Sequence, residues 1–139
     1  MSASLKTLHE LAAALAAGKT TSVKLVEEAL ARIESYRDRG GAAYREVDAD
    51  SALQAARASD QARQAGYVSS VLAGLPVSIK DLFDVQGQIT KAGSIALNNA
   101  APAARDAVAV ARLRQAGSIL LGRTNMSEFA FSGLGLNPH

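Results

Sequence analysis

The chain has 139 residues, 48% of them apolar, and its 15 Lys and Arg against 13 Asp and Glu leave a net charge of +2. That length suits one ordinary domain with one core, and the near balance of charge gives no basic stripe for tracking phosphates, so nucleic acid is not an expected direct partner. With no cysteine and only His9 and His139 as imidazoles, disulfide, thiolate and metal chemistry lack their ligands.

Alanine supplies 29 of the 67 apolar residues, which predicts helices packed through small faces. Thr7-Leu-His-Glu10 has the form of a capping box, with Leu8, Leu11 and Leu15 at helical spacing behind it and Gly18 as a stop. The apolar run from Leu11 to Ala17 is too short to cross a bilayer, and His9 and Glu10 precede it where a signal peptide has a positive region. The expectation is a soluble, cytoplasmic chain with no membrane partner. Thr20, Thr21 and Ser22 offer the next N-cap, and Val23, Val26, Leu30 and Ile33 recur at helical intervals to about Tyr36. After the break at Asp38-Arg-Gly-Gly41, the segment from Asp50 to Ala65 is rich in Ala, Gln and Arg and stops at Gly66, a third helix.

The period then changes from 3.6 to 2. Leu75-Pro-Val-Ser-Ile-Lys80 alternates apolar with polar and reads as a strand. Turns at Gly87 and Gly93 and the connection Asn98-Asn-Ala-Ala-Pro102 lead to Asp106, which is placed to cap a helix carrying Val108, Val110 and Leu113 to Gly117. Ser118-Ile-Leu-Leu121 reads as a short buried strand, and Gly122 to Asn125 as a turn. Thr124 or Asn125 would cap a short helix supported by Ser127 or Glu128, and Gly133 and Gly135 loosen the end. The order is α/β: a helical layer over residues 1–66, then the start of an α/β core over 67–139.

Lys80 is the first candidate for chemistry. It closes a strand whose sequence neighbours Val77, Ile79, Leu82 and Phe83 would leave its head group little water, and a desolvated lysine becomes a base near neutral pH. The plainer reading is an edge lysine paired with Asp81 or Asp84. Other motifs carry less. Gly133-Leu-Gly135 lacks the third glycine of a dinucleotide fingerprint, because position 138 is Pro138, and there is no P-loop. No serine sits in a G-x-S-x-G elbow. His9 and His139 read as solvated, and Asn125 and Glu128 as capping residues.

Four blocks remain in register: Gly74-Leu-Pro-Val-Ser-Ile-Lys80-Asp-Leu-Phe-Asp-Val, Thr90-Lys-Ala-Gly-Ser94, Asp106-Ala-Val through Leu113-Arg-Gln-Ala-Gly117, and Gly122-Arg-Thr-Asn-Met-Ser-Glu-Phe129. Together they resemble the N-terminal part of the amidase signature family. The resemblance implies a mixed β-sheet sandwiched by helices, and hydrolysis of a carboxylic amide to acid and ammonia by a Ser, cis-Ser and Lys triad without metal or organic cofactor. Lys80 matches the family's catalytic lysine, and Ala130, Phe131 and Ser132 match a segment near the acyl pocket of the substrate. Lys91 stands where the family often has Thr or Cys, and Arg123 where Lys is common.

The family's Gly/Ser-rich block with both serines lies downstream of Asn137-Pro-His139. The chain as given is therefore expected to be inactive alone and to expose strand edges and apolar faces that favour self-association or a complementary C-terminal portion. The same resemblance covers the glutaminase subunit of a tRNA-dependent amidotransferase, and a non-catalytic interaction module on a partial amidase fold is the alternative outside enzymes.

Overall fold

The computed structural model describes residues 6–137 and 139. Pro138, which interrupts the glycine fingerprint, lies outside the described residues. Helix α1 (Leu8–Ala16) begins with the expected capping box: Thr7 Oγ1 accepts the Glu10 amide, and the Glu10 carboxylate accepts the Thr7 amide at 2.7 Å and its hydroxyl at 2.9 Å. The bond from the Thr7 amide, then that from its hydroxyl, with Lys6 and His9 adding attraction, hold the Glu10 carboxyl below the ordinary carboxylate range. A carboxyl depressed by folding stabilises the fold above its unfolded pKa, and that contribution disappears as pH falls through its folded value. Amide exchange in the first turn of α1 is accordingly expected to accelerate on acidification below the ordinary glutamate range, and Glu10→Gln to remove that acid dependence.

Helix α2 (Ser22–Asp38) is capped by Thr21, whose hydroxyl accepts the Lys24 amide. Its first free amides receive a second partner from outside: Asp60 of helix α3 (Ala49–Gln64) accepts from Ser22 N at 2.7 Å and Val23 N at 3.0 Å. A carboxylate against the positive end of a helix is favourable, and here it fastens α3 onto α2. The two helices meet through the small face that the alanine content predicts, with Ala52 and Ala56 fully buried against Val26. Helix α3 starts one residue before the expected Asp50, under the Asp48 cap.

Three strands form one sheet in the order β1-β3-β2, where β1 is Tyr44–Val47, β2 Pro76–Lys80 and β3 Ile119–Thr124. β1 runs antiparallel and β2 parallel to the central β3. Helix α4 (Val108–Gln115) lies on the crossover between β2 and β3, the usual route between parallel neighbours. Ile119 and Leu121 join the α2–α3 core, whereas Ile79, Val85 and Val110 form a separate cluster with Leu120 against it. The resulting architecture is the mixed α/β arrangement expected from the chain order.

Three local expectations are corrected. Strand β1 falls in a stretch with no assigned element, because its four residues carry no long alternation and become a strand only by pairing with β3. Asp106 does not cap α4; the N-cap is Ala107, with no side-chain bond, and Asp106 instead accepts the Gln86 amide at 2.7 Å and pairs with Arg114 at 2.9 Å. Strand β3 does not end at Leu121 but continues through Gly122. That glycine serves close approach rather than a turn: a Cβ there would sit 2.2 Å from Glu46 O and 2.9 Å from Val47 Cα. Gly122→Ala is expected to part β1 from β3 and cost about 3 kcal/mol, on the scale of overpacking a core, as a lowered denaturation midpoint.

Candidate active site

Lys80 ends β2, and pleating sends it to the face opposite Ile79. Ile79 is 4% exposed and in the core, while Lys80 is exposed. The expectation of a head group with little water is thus corrected: residues adjacent in sequence alternate in space, and Leu82 and Phe83 are themselves 43% and 40% exposed. The plainer pairing fails as well. Asp81 is taken by arginines and Asp84 accepts the Thr90 hydroxyl at 2.7 Å. Among the described residues the Lys80 ammonium forms no ion pair.

What the sequence reading missed is the anchoring of the residue next to it. Asp81 is 2% exposed and uses every polar group it has. Its amide donates to Thr124 O at 3.2 Å and its carbonyl accepts the Ala92 amide at 2.9 Å. One carboxylate oxygen accepts Arg123 Nε at 2.9 Å and the other the Gly93 amide at 3.0 Å, with Arg45 Nε 3.6 Å away. Arg123 is equally buried and also donates to Phe83 O at 2.8 Å. Lys80 is therefore a free side chain on a fixed base. The signal was present in two opposite charges, Asp81 just after β2 and Arg123 within β3.

The 91–94 turn held by Asp81 carries a second layer. The Phe129 amide donates to Ala92 O at 2.8 Å, and Asn137 Nδ2 donates to Gly93 O at 2.8 Å and Met126 O at 2.7 Å. Ser94 is fully buried, and its hydroxyl donates to Glu128 Oε1 at 2.5 Å. Glu128 therefore joins two loops instead of acting as a cap, and Asn125 Oδ1 accepts from the adjacent Met126 amide at 2.9 Å and from Asn137 Nδ2 at 3.5 Å. Ala92, Phe129 and Ala130 all have φ between 50° and 58°, a left-handed conformation unusual for residues with a Cβ. Such strain persists where surrounding bonds impose it, often beside functional sites.

Ala130 belongs to that strained turn and Phe131 and Ser132 follow it; all three are exposed, Phe131 at 92%. They connect to the Lys80 strand through the bonds from the Phe129 amide to Ala92 O and from the Ala92 amide to Asp81 O. Lys91, one of the departures from the expected pattern, is paired with Glu46 of β1 and so straps this turn to the sheet. The other, Arg123, holds three acceptors at once: Asp81, Phe83 O and, at 3.4 Å, the Thr90 hydroxyl. Neither histidine joins the site: His9 is exposed on α1, and His139 lies 4.0 Å from Glu128 Oε2. Among the described residues no group of three or more His, Cys, Asp or Glu is placed to hold a metal ion, and no helix is long and apolar enough to cross a membrane.

The Amidase family model matches residues 24–139. A glutamyl-tRNA(Gln) amidotransferase subunit of Chromohalobacter salexigens is 46% identical over 125 residues, which cover 90% of this chain and 25% of that protein. A crystal structure of an amidase superposes with a TM-score of 0.86 at 39% identity, covering 96% of this chain and 30% of the other. The native peptide amidase from Stenotrophomonas maltophilia superposes with a TM-score of 0.80 at 36% identity, covering 89% and 25%. The chain thus spans about a quarter of the length of the relatives it matches. With its α/β architecture shared at these scores and most of its length matched, the chain belongs to the amidase family, the amidase signature enzymes.

Proposed function

We propose that this chain supplies the proton-accepting lysine, Lys80, of a Ser, cis-Ser and Lys amide hydrolase that releases acid and ammonia from a small amide. The observation that carries the reading is the contrast between Lys80, exposed and without an ion-pair partner among the described residues, and Asp81, fixed on all sides. A lysine that serves as a base needs a set position and an unshared amine. In the complete site the neutral amine would draw a proton through a bridging serine from the nucleophilic serine. That serine attacks the amide carbonyl, ammonia leaves, and water releases the acyl-enzyme. Backbone donors on the developing oxyanion are worth roughly 3 to 4 kcal/mol in comparable enzymes. No cofactor enters this scheme.

The serines belong to the part of the family's length beyond this match, so the chain is proposed to act with a complementary serine-bearing portion. Phe131, Leu134 and Leu136 are exposed at 92%, 83% and 72%, an apolar edge suited to such a partner or to self-association. Ala130, Phe131 and Ser132 are proposed to border the acyl pocket. The test is ammonia release from linear, aryl and peptide amides by the chain co-expressed with a serine-bearing remainder from a relative. The reading fails if no such combination turns over.

A second reading, the glutaminase subunit of a tRNA-dependent amidotransferase, is favoured by the 46% identity to a protein of that name. The ammonia would then pass to a partner, and activity would require partner subunits and tRNA. A non-catalytic module would instead keep its cellular role after Lys80→Met. A cytoplasmic setting suits each reading.

A further inference from the structure

Helices α1 and α2 and the residues that join them bound a cavity of about 400 Å³ whose apolar wall is Leu11, Ala14, Leu25 and Pro76. Its charged wall is Lys6, Lys19, Lys24 and Arg32 against a single carboxylate, Glu28, so the lining itself carries a surplus of three positive charges. All five charged side chains are exposed, and none forms an ion pair among the described residues. Lys24, Glu28 and Arg32 stand at four-residue steps on one face of α2. Lys6 precedes α1 and Lys19 follows it, so cations flank the cavity from both helices.

Neighbouring groups leave that surplus in place. Glu10 and Glu27 do not line the cavity, and the Glu10 carboxylate is spent on Thr7. The positive end of α2 is also occupied, because the Ser22 and Val23 amides donate to Asp60 and the Lys24 amide to the Thr21 hydroxyl. Recognition of an anion therefore falls to the side chains. Lysine ammonium groups bind phosphate as point charges, and two linked phosphoryl groups carry about as much charge as the surplus, whereas a lone carboxylate would offset one cation. The apolar wall holds no aromatic ring on which a base could stack, which suits an aliphatic body.

We propose that this cavity binds an organic pyrophosphate with a short aliphatic body, its phosphoryl oxygens accepting hydrogen bonds from the three lysines and Arg32 while the body lies against the apolar wall. The site does not depend on the amidase reading, and Lys80 is not among its lining residues.

The test is titration of the ¹⁵N-labelled chain with isopentenyl pyrophosphate, inorganic pyrophosphate, isopentenol and ADP, followed by amide chemical shifts. Isopentenyl pyrophosphate is expected to give saturable shifts centred on the cavity-lining stretches of α1 and α2, with an affinity that falls as salt is raised. Inorganic pyrophosphate, which lacks the body, is expected to bind about fivefold more weakly, and isopentenol, which lacks the charge, to give no saturable shifts. Lys24→Gln combined with Arg32→Gln should weaken binding at least about tenfold, and Glu28→Gln, which removes the one carboxylate of the lining, should tighten it about threefold. These side chains are exposed and form no ion pair among the described residues, so the variants should melt with the wild type; if the double variant fails to fold, Glu28→Gln decides alone. The proposal is overturned if isopentenyl pyrophosphate gives no saturable shifts, if Glu28→Gln leaves its affinity unchanged or lowers it, if inorganic pyrophosphate binds equally well, if isopentenol saturates the same residues, or if ADP binds more tightly.

Discussion

Asp81→Ala is expected to lower the stability of the chain by about 3–5 kcal/mol, the usual cost of removing one partner from a buried ion pair. The substitution strands Arg123, which is 2% exposed, together with the guanidinium of Arg45, and it frees the Gly93 amide from its acceptor. For a domain of this size the melting temperature should fall by on the order of 15 °C. Much of that cost comes from the uncompensated charge rather than from lost attraction. Adding Arg123→Met to Asp81→Ala should therefore recover part of the loss, because an apolar replacement of a buried pair is often tolerated. If Asp81→Ala melts within a degree or two of the wild type, Asp81 is not the anchor described above.

Lys80→Met separates chemistry from stability. Lys80 is exposed and has no ion-pair partner among the described residues, so its replacement should change unfolding free energy by no more than about 0.5 kcal/mol. In a form supplied with the serines, the same change should lower kcat by about 10²–10⁴, the range for losing a positioned proton acceptor. The pairing of these outcomes is what distinguishes a base from a structural lysine. A comparable loss in both stability and turnover would assign Lys80 to the scaffold.

Local signals in the sequence carried much of the fold. The Thr7–Glu10 capping box, the Thr21 cap and the alternation from Leu75 to Lys80 each rest on neighbouring residues, and each appears where the local physics places it. β1 was not legible because Tyr44-Arg-Glu-Val becomes a strand through pairing with β3, a contact across some 77 residues of chain. Gly122 misled for a related reason. Glycine marks both turns and close approaches, and only the position of Glu46 and Val47 decides between them.

The site divides along the same line. The candidate lysine was visible as a residue, but its surroundings were not, since Val77, Ile79, Leu82 and Phe83 are neighbours in sequence and do not enclose it in space. The Asp81–Arg123 pair joins residues 42 apart, and the coupling of Ser94 to Glu128 joins residues 34 apart. Such partners emerge only when the turns after β2 and β3 are brought side by side.

The most direct test of the proposal that Lys80 is the proton acceptor for the family's serines is ammonia release measured on three samples in parallel. These are the chain alone, the chain joined to a serine-bearing remainder of the family, and the joined form carrying Lys80→Met. Ammonia is predicted from the second sample only. Its release by the chain alone, or by the joined form lacking Lys80, would contradict that claim.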